Sequence, residues 1–406
     1  MQIPFSPPYI NQSVEAEVLD ALRSGWITTG PKVKALEAEV CNYTNAPACL
    51  CVNSATSAMM LVLHWFGVRA GDEVIVPAYT YCATALAVLH LGAKPVMVDV
   101  EKDFTISIPE IRKAITTKTK AIMPVDFAGW ACNYNEINKL VNETEIKLLF
   151  KPQTKPQEEL NRILILSDAA HSFGASYNNK KLGTAADITV FSFHAVKNLT
   201  TAEGGAICLN LPNPFNNTDV YATLRLWSLN GQTKDAFSKS KAGSWRYDIV
   251  YPGFKMNLPD VLAAIGLAQI KEYNSVLLKE RKRVFDFYND SFKKHNWAIL
   301  PTYQSKHAES SYHLYPLRID NISEEQRDSI IDKISETGVA VNVHFQPLPL
   351  LSVFKQLGYD IHNFPIAYDN YKSEISLPVY PQLNNNQCTY IVDNVVNAVN
   401  AIINNG

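Results

Sequence analysis

Hydrophobic and polar positions along the 406-residue chain fall into two textures. From about Leu50 to Leu209, short aliphatic runs alternate with stretches whose apolar residues recur at helical spacing. "DEVIVP" (72–77) predicts a strand ending at a proline, "ATALAVLHL" (83–91) a helix ended by Gly92, and "KPVMVDV" (94–100) a strand. "IPEIRKAI" (108–115) predicts a helix with proline in its first turn. Strands follow at "KAIMPV" (120–125), "RILILSD" (162–168), "DITVFSF" (187–193) and "GGAICLN" (204–210), with a helix from Tyr134 to Val141. This alternation predicts an α/β fold with a mostly parallel sheet covered on both faces. Ligands of such sheets sit beyond the carboxyl ends of the strands, so the residues just after each strand are the ones to inspect.

After Asn257 the texture changes. "LPDVLAAIGLAQIKEYNSVLLKERKRVFDFYNDSFKK" predicts one long helix or two. "YHLYPLRI" and "GVAVNVHF" predict strands, with "SEEQRDSIIDKISE" between them as a helix, and "NQCTYIVDNVVNAVNAII" predicts a last helix. The expected division is a large α/β domain over 1–255 and a smaller C-terminal α+β domain over 256–406. The polar, proline-bearing "FKPQTKPQEELNR" (150–162) reads as a surface insertion.

Net charge is −2 with both signs spread along the chain, and no basic block suggests nucleic acid or an anionic membrane. "MQIPFSPPYI" lacks the basic and apolar regions of a signal peptide, and runs such as "AMMLVLHWFGV" are too short to span a bilayer. Seven cysteines suit no even disulfide framework, and no pair has zinc-site spacing. Cys49, Cys51 and Cys208 lie in apolar runs and read as small core residues of a reduced, cytoplasmic protein, Cys49 and Cys51 sharing one strand face.

Three post-strand positions carry candidate chemistry. In "CVNSATSAMMLVL" a strand ends at Val52 and a helix starts near Ser57; Asn53, Ser54, Thr56 and Ser57 crowd the junction. Free N–H groups and small hydroxyls there suit a phosphate, and equally an ordinary N-cap. In "ILILSDAAHSFGA", Asp168 lies at the mouth of the sheet with His171 after it. A carboxylate there can hold a protonated ring nitrogen or a metal, or merely cap the next turn. In "FSFHAVKNLTTAEGGA", Lys197 follows a buried strand. It can snorkel to solvent, or be a desolvated amine that forms a Schiff base. A phosphate nest, a carboxylate and a lysine after three such strands are together what pyridoxal phosphate needs.

These motifs resemble the sugar aminotransferases of the DegT/StrS family, which are fold-type I pyridoxal-phosphate enzymes. The resemblance covers nearly the whole chain, through "SGWITTGPKVKALEAEV", "NSATSAMM", "GDEVIVPAYTYCATALAV", "SDAAHSFGA", "SFHAVKNLTTAEGG", "GSWRYDIVYPGFKMNLPDVLAAIGLAQI", "VHFQPL" and "SLPVYP". "NSATSAMM" and "SFHAVKNLTTAEGG" look most like the branch that forms UDP-4-amino-4-deoxy-arabinose.

The resemblance implies that Lys197 is the Schiff-base lysine, that Asp168 pairs with the pyridine nitrogen, and that His171 lies near the cofactor's ring hydroxyl. Tyr81 would stack on the ring, and Thr56, Ser57 and Ser192 would hold the phosphate. Asn257 would reach the phosphate of a neighbouring subunit in a homodimer with shared sites. The implied reaction moves an amino group from glutamate, leaving 2-oxoglutarate, to a nucleotide-linked keto-sugar. Tyr79, Asn230, Trp245, Tyr247, His344 and Phe345 are the candidate sugar and nucleobase contacts. Arg281, Arg283 and Arg327 are expected on charged helical faces, away from any substrate carboxylate. Asn230, Pro349 and Tyr368 replace residues common in the family, which leaves the cofactor chemistry intact and the substrate open. A lyase of the same fold commonly has histidine in place of the lysine, and a non-enzymatic member would have lost Asp168 or Lys197. An aminotransferase of cyclitols or small-ring ketones is a further alternative.

Overall fold

The computed structural model describes residues 1–234 and 246–403. Two helices, α1 (Gln12–Arg23) and α2 (Pro31–Thr44), precede the first strand, β1 (Ala48–Val52). Then come α3 (Ala55–Phe66), β2 (Glu73–Pro77), α4 (Cys82–Leu89), β3 (Lys94–Val98) and β4 (Thr119–Ile122). β5 (Leu164–Asp168) is followed by two short strands, β6 (Ser176–Tyr177) and β7 (Lys180–Lys181), then by β8 (Ile188–Ser192) and β9 (Gly205–Leu209). The main sheet has the order β1-β9-β8-β5-β4-β2-β3. Only β9 runs against its neighbours, pairing antiparallel with both β1 and β8.

Burial explains why these strands read as unbroken apolar runs. Every residue of β2, β5, β8 and β9 is buried, because helices cover both faces. Taking one of these Val, Ile or Leu side chains out of water contributes about 1.5–3 kcal/mol. On β1, Cys49 lies directly opposite Cys208 of β9, and all seven cysteines are free thiols.

The C-terminal part builds a small antiparallel sheet, β10 (Ala298–Ile299), β12 (Tyr315–Ile319) and β13 (Glu374–Leu377), while β11 (Ala308–Glu309) joins β6. A second hydrophobic cluster gathers here around Phe285, Tyr288, Tyr315, Ile334 and Val395. The helix Asp260–Lys271 and the segment from Leu348 to Tyr371 instead pack on the main cluster. The expected long helix resolves into Asp260–Lys271, a π-helical turn and Lys279–Phe292.

Three expectations are corrected. "GVAVNVHF" is extended but no strand; it makes two isolated bridges, Val339 with Ile3 and Asn342 with Ser376. Its alternating pattern reflects a seam between the two hydrophobic clusters, Val339 and Val341 packing on the second and Val343 and Phe345 on the main one, and no neighbouring strand continues the ladder. The 150–162 stretch is not purely superficial. It holds the helix Lys155–Leu160, whose Gln157 is buried and, with Thr154, donates to the Phe66 carbonyl at the end of α3. Arg281 and Arg327 are buried rather than set on charged faces, donating to backbone carbonyls of Val379 and Tyr371 respectively. Their long polar side chains sit at helical positions that face the core.

Candidate active site

A cavity of about 490 Å³ opens beyond the carboxyl ends of β1, β2, β5 and β8. Ser54, Thr56, Tyr81, Asp168, His171, Ser192, Lys197, His344 and Phe345 all line it. It also takes in Phe5, Ser6, His194, Glu203 and His313.

At the β1 end, Ser54 caps α3 by accepting from the Ser57 N–H at 3.1 Å. The helix N-terminus meets the cavity through Ser54, Ala55 and Thr56; Ser57 is one step back, its hydroxyl accepting from Ser54. Ser192 closes the same corner from β8. Opposite, a Cβ at Gly205 would lie 2.6 Å from the Ala55 nitrogen and 2.9 Å from the Phe191 carbonyl. Only glycine lets β9 pass this close to the start of α3. In Gly205→Ala the helix N-terminus must move, and the expected result is a cost of about 1–3 kcal/mol together with much weaker anion binding. Melting temperature and phosphate affinity check this; unchanged affinity would separate Gly205 from the anion corner.

At the β5 end, Asp168 is buried and its Oδ2 accepts from the Thr84 hydroxyl at 2.7 Å. Burial raises its pKa, opposed by the bonds from Thr84 and Ala170 and by the Lys197 charge. Three residues on, the His171 ring accepts at Nδ1 from the Ala128 N–H at 3.2 Å, which leaves its proton on Nε2. Burial, then the nearby Lys197 and His344, keep this ring neutral, well below the usual histidine range.

Past β8 the chain turns through Phe193–Thr201 and is held from outside. Gln269 accepts from the Thr200 N–H, and Asn198 donates to the Ser311 carbonyl. Lys197 projects from this turn with no hydrogen-bond partner among the described residues. Burial lowers its amine to about 8, against the opposing pull of Asp168. Lysine is costly to desolvate, so an unpartnered amine at a cavity wall reads as a chemical group.

Tyr81 stands at the N-cap of α4, exposed, with its ring 5.6 Å from Phe345. His344 and Phe345 come from the C-terminal part. Asn230 and Tyr247 lie off the cavity wall, and Trp245 falls outside the described residues. Tyr79 is buried beneath the wall, its hydroxyl donating to the His344 carbonyl at 2.7 Å. Asn257 bridges to Val52 and donates to Thr29 within its own chain at 2.6 Å.

Sequence reasoning missed His313, Thr84 and Asn198. His313 is buried with its ring 4.4 Å from that of His171. Because the Asn198 amide nitrogen is committed to Ser311, its oxygen accepts from the His313 Nδ1–H at 2.8 Å. No local pattern marks a histidine before a strand as a site residue; only its return across the fold does.

The unpartnered Lys197 amine, the Asp168 carboxylate and the glycine-cradled helix N-terminus fit an aldehyde, a protonated ring nitrogen and a phosphate. The model of the DegT/DnrJ/EryC1/StrS aminotransferase family matches residues 8–151 and 158–396, broken only within the stretch read as an insertion. The chain belongs to this family. As a member it is a pyridoxal-phosphate-dependent aminotransferase with the matching mixed α/β fold. Among solved structures, it is similar to the putative sugar aminotransferase Spr1654 from Streptococcus pneumoniae in its PMP-form, at 43% identity and a TM-score of 0.95, covering 99% of this chain and 100% of that one. The PLP-form of that protein matches at 42% and 0.94. Helicobacter pylori PseC, an aminotransferase involved in the biosynthesis of pseudoaminic acid, matches at 27% and 0.86, covering 99% and 100%. Bacillus subtilis SpsC, a spore coat polysaccharide biosynthesis protein, is 32% identical over 99% of this chain and 97% of its own. None of the described helices is long and apolar enough to cross a membrane.

Proposed function

We propose that the enzyme transfers an amino group from glutamate to a nucleotide-linked 4-keto-sugar in the cytoplasm, for a surface polysaccharide or another amino-sugar product. One observation carries this reading: no arginine is among the described residues lining the cavity, whose only side-chain ammonium is Lys197. A carboxylate usually takes a two-pronged arginine; in a homodimer with shared sites, the groups holding glutamate's carboxylates would come from outside this chain's wall, and nothing on the wall is dedicated to a carboxylate of the acceptor. Beside the Asp168 and Glu203 carboxylates, hydroxyls, imidazoles and aromatic faces line the cavity, and these suit sugar hydroxyls and a base. The names of SpsC and PseC point the same way.

Within this proposal Ser54, Thr56 and Ser192 hold the phosphate, with Ser57 supporting the turn. Asp168 holds the ring nitrogen, His171 offers its Nε2–H to the ring hydroxyl, and Tyr81 covers a ring face. The cofactor supplies an electron sink when bound. Lys197, lowered to about 8, is the base that moves a proton at the substrate carbon, since about a tenth of its amine is free at pH 7 and about half at pH 8. Asn230 and Tyr247, which lie off this chain's own cavity wall, remain proposed sugar contacts, as does Trp245, outside the described residues. That placement, with Asn257, favours a homodimer with shared sites. Lys197→Ala and Asn257→Ala subunits, each impaired alone, are expected to regain activity when co-refolded; no rescue would remove the sharing.

The test of substrate is a glutamate-dependent assay over UDP- and dTDP-linked 4-keto-sugars, following 2-oxoglutarate. Amination of one of them is expected. If none reacts while an inosose or small-ring ketone does, the cyclitol reading replaces this one.

A further inference from the structure

His344 reaches the cavity from a segment anchored by a buried carboxyl group. Glu374, on β13, has no exposed surface, nor has Ser376 two residues on, on the same strand face. Glu374 Oε2 accepts from the His344 backbone N–H at 3.0 Å, which fixes the segment. Its Oε1 bonds the Ser376 hydroxyl at 2.5 Å, and the Ser376 oxygen lies 3.0 Å from His344 Nδ1. The other ring nitrogen, Nε2, has no partner among the described residues. The ring lies against Phe5, with centroids 5.3 Å apart and planes at 22°, so it has little freedom to turn.

We propose that Glu374 and Ser376 form a hydrogen-bonded relay that sets which nitrogen of His344 carries the proton, and so whether its free Nε2 donates to or accepts from the acceptor substrate. With Glu374 ionised, the Ser376 proton lies toward Oε1 and the Ser376 oxygen accepts from Nδ1–H. Nε2 then holds a lone pair. With Glu374 protonated, the carboxyl O–H donates to Ser376, whose own proton turns to Nδ1. Nε2 then carries the ring's proton. Between the two states one proton is taken up at Nε2, the Nδ1 proton passes to Ser376, and the Ser376 proton passes to Glu374. The ring is neutral in both.

This matters because His344 cannot readily become a cation. Burial, with Lys197 facing it, pushes its pKa down to about 3. An isolated ring there could not take a proton near neutral pH, whereas a ring relayed to a carboxylate can. Burial lifts Glu374 to about 8, against Ser376, the His344 N–H, Arg327 from the helix Glu324–Glu336 and Arg318 from β12. Tyr79 faces the carboxyl group from the loop after β2. Both relay states are therefore accessible near physiological pH.

The inference rests on reading the cavity as the acceptor site, but its main readout needs no turnover. Ring nitrogen shifts of His344 are measured by NMR on holoenzyme with 15N-labelled histidine, assigned through His344→Gln. In wild type the signals are expected to exchange from the Nε2–H to the Nδ1–H tautomer as pH rises through about 8. Glu374→Gln, whose amide donates to Ser376, is expected to hold the Nε2–H form at every pH. Ser376→Ala is expected to abolish the interchange, and Ser376→Thr to keep it. The kcat/KM for the acceptor is expected to fall on the order of tenfold in Ser376→Ala and to recover in Ser376→Thr. One unchanging tautomer in wild type, or a Ser376→Ala protein that titrates like wild type, overturns the relay. Failure of the keto-sugar panel with the tautomer behaviour intact would instead count against the substrate reading alone.

Discussion

Replacing Lys197 with alanine is expected to lower amino transfer by more than about 10⁴-fold, because one change removes both the proposed covalent anchor and the proposed proton-moving base. The fold should survive. The side chain makes no hydrogen bond among the described residues, and burying its amine already lowers its pKa to about 8. In wild type, the rate of cofactor uptake by apoprotein should rise with pH as the free amine appears, with a midpoint near 8; an ordinary lysine would place it near 10.5. Stopped-flow absorbance checks the pH dependence, and a single-turnover assay with glutamate checks the variant. Wild-type turnover by Lys197→Ala would remove this lysine from the reaction.

Asp168→Asn is expected to retain cofactor but to lose about 10²–10³ in turnover, the usual scale for deleting one preorganised electrostatic partner. The carboxylate is buried, so its charge acts through little intervening solvent. Thr84→Val tests the same group more gently. The Thr84 bond lowers the Asp168 pKa, so losing it raises that pKa further and moves the acid limb of the pH–rate profile to higher pH. A profile that stays in place would mean that Asp168 is not the group titrating there. Unchanged turnover in Asp168→Asn would break the proposed ring contact.

Much of this site is legible in the chain because its parts follow strands. The apolar runs ending at Val52, Asp168 and Ser192 place Ser54, Asp168 and Lys197 at one edge of a parallel sheet, whatever the loops do. What lay beyond local pattern came from long-range return. His313 meets His171 only because its segment folds back across the cavity mouth, where the His313 and Leu314 N–H groups donate to the Ala128 carbonyl. The buried arginines were misplaced because helical periodicity cannot tell a solvated guanidinium from one satisfied by carbonyls, as Arg327 is by Tyr371. "GVAVNVHF" misled because alternation marks a two-faced environment, which a seam supplies as well as a sheet.

The central claim is that Lys197 is the residue joined to the cofactor. Borohydride reduction of holoenzyme, followed by peptide mass spectrometry, tests it directly. The expected result is a reduced pyridoxyl-phosphate adduct on the peptide containing Lys197 and on no other lysine. An adduct on a different lysine, or none on protein that is fully loaded and active, would contradict the account.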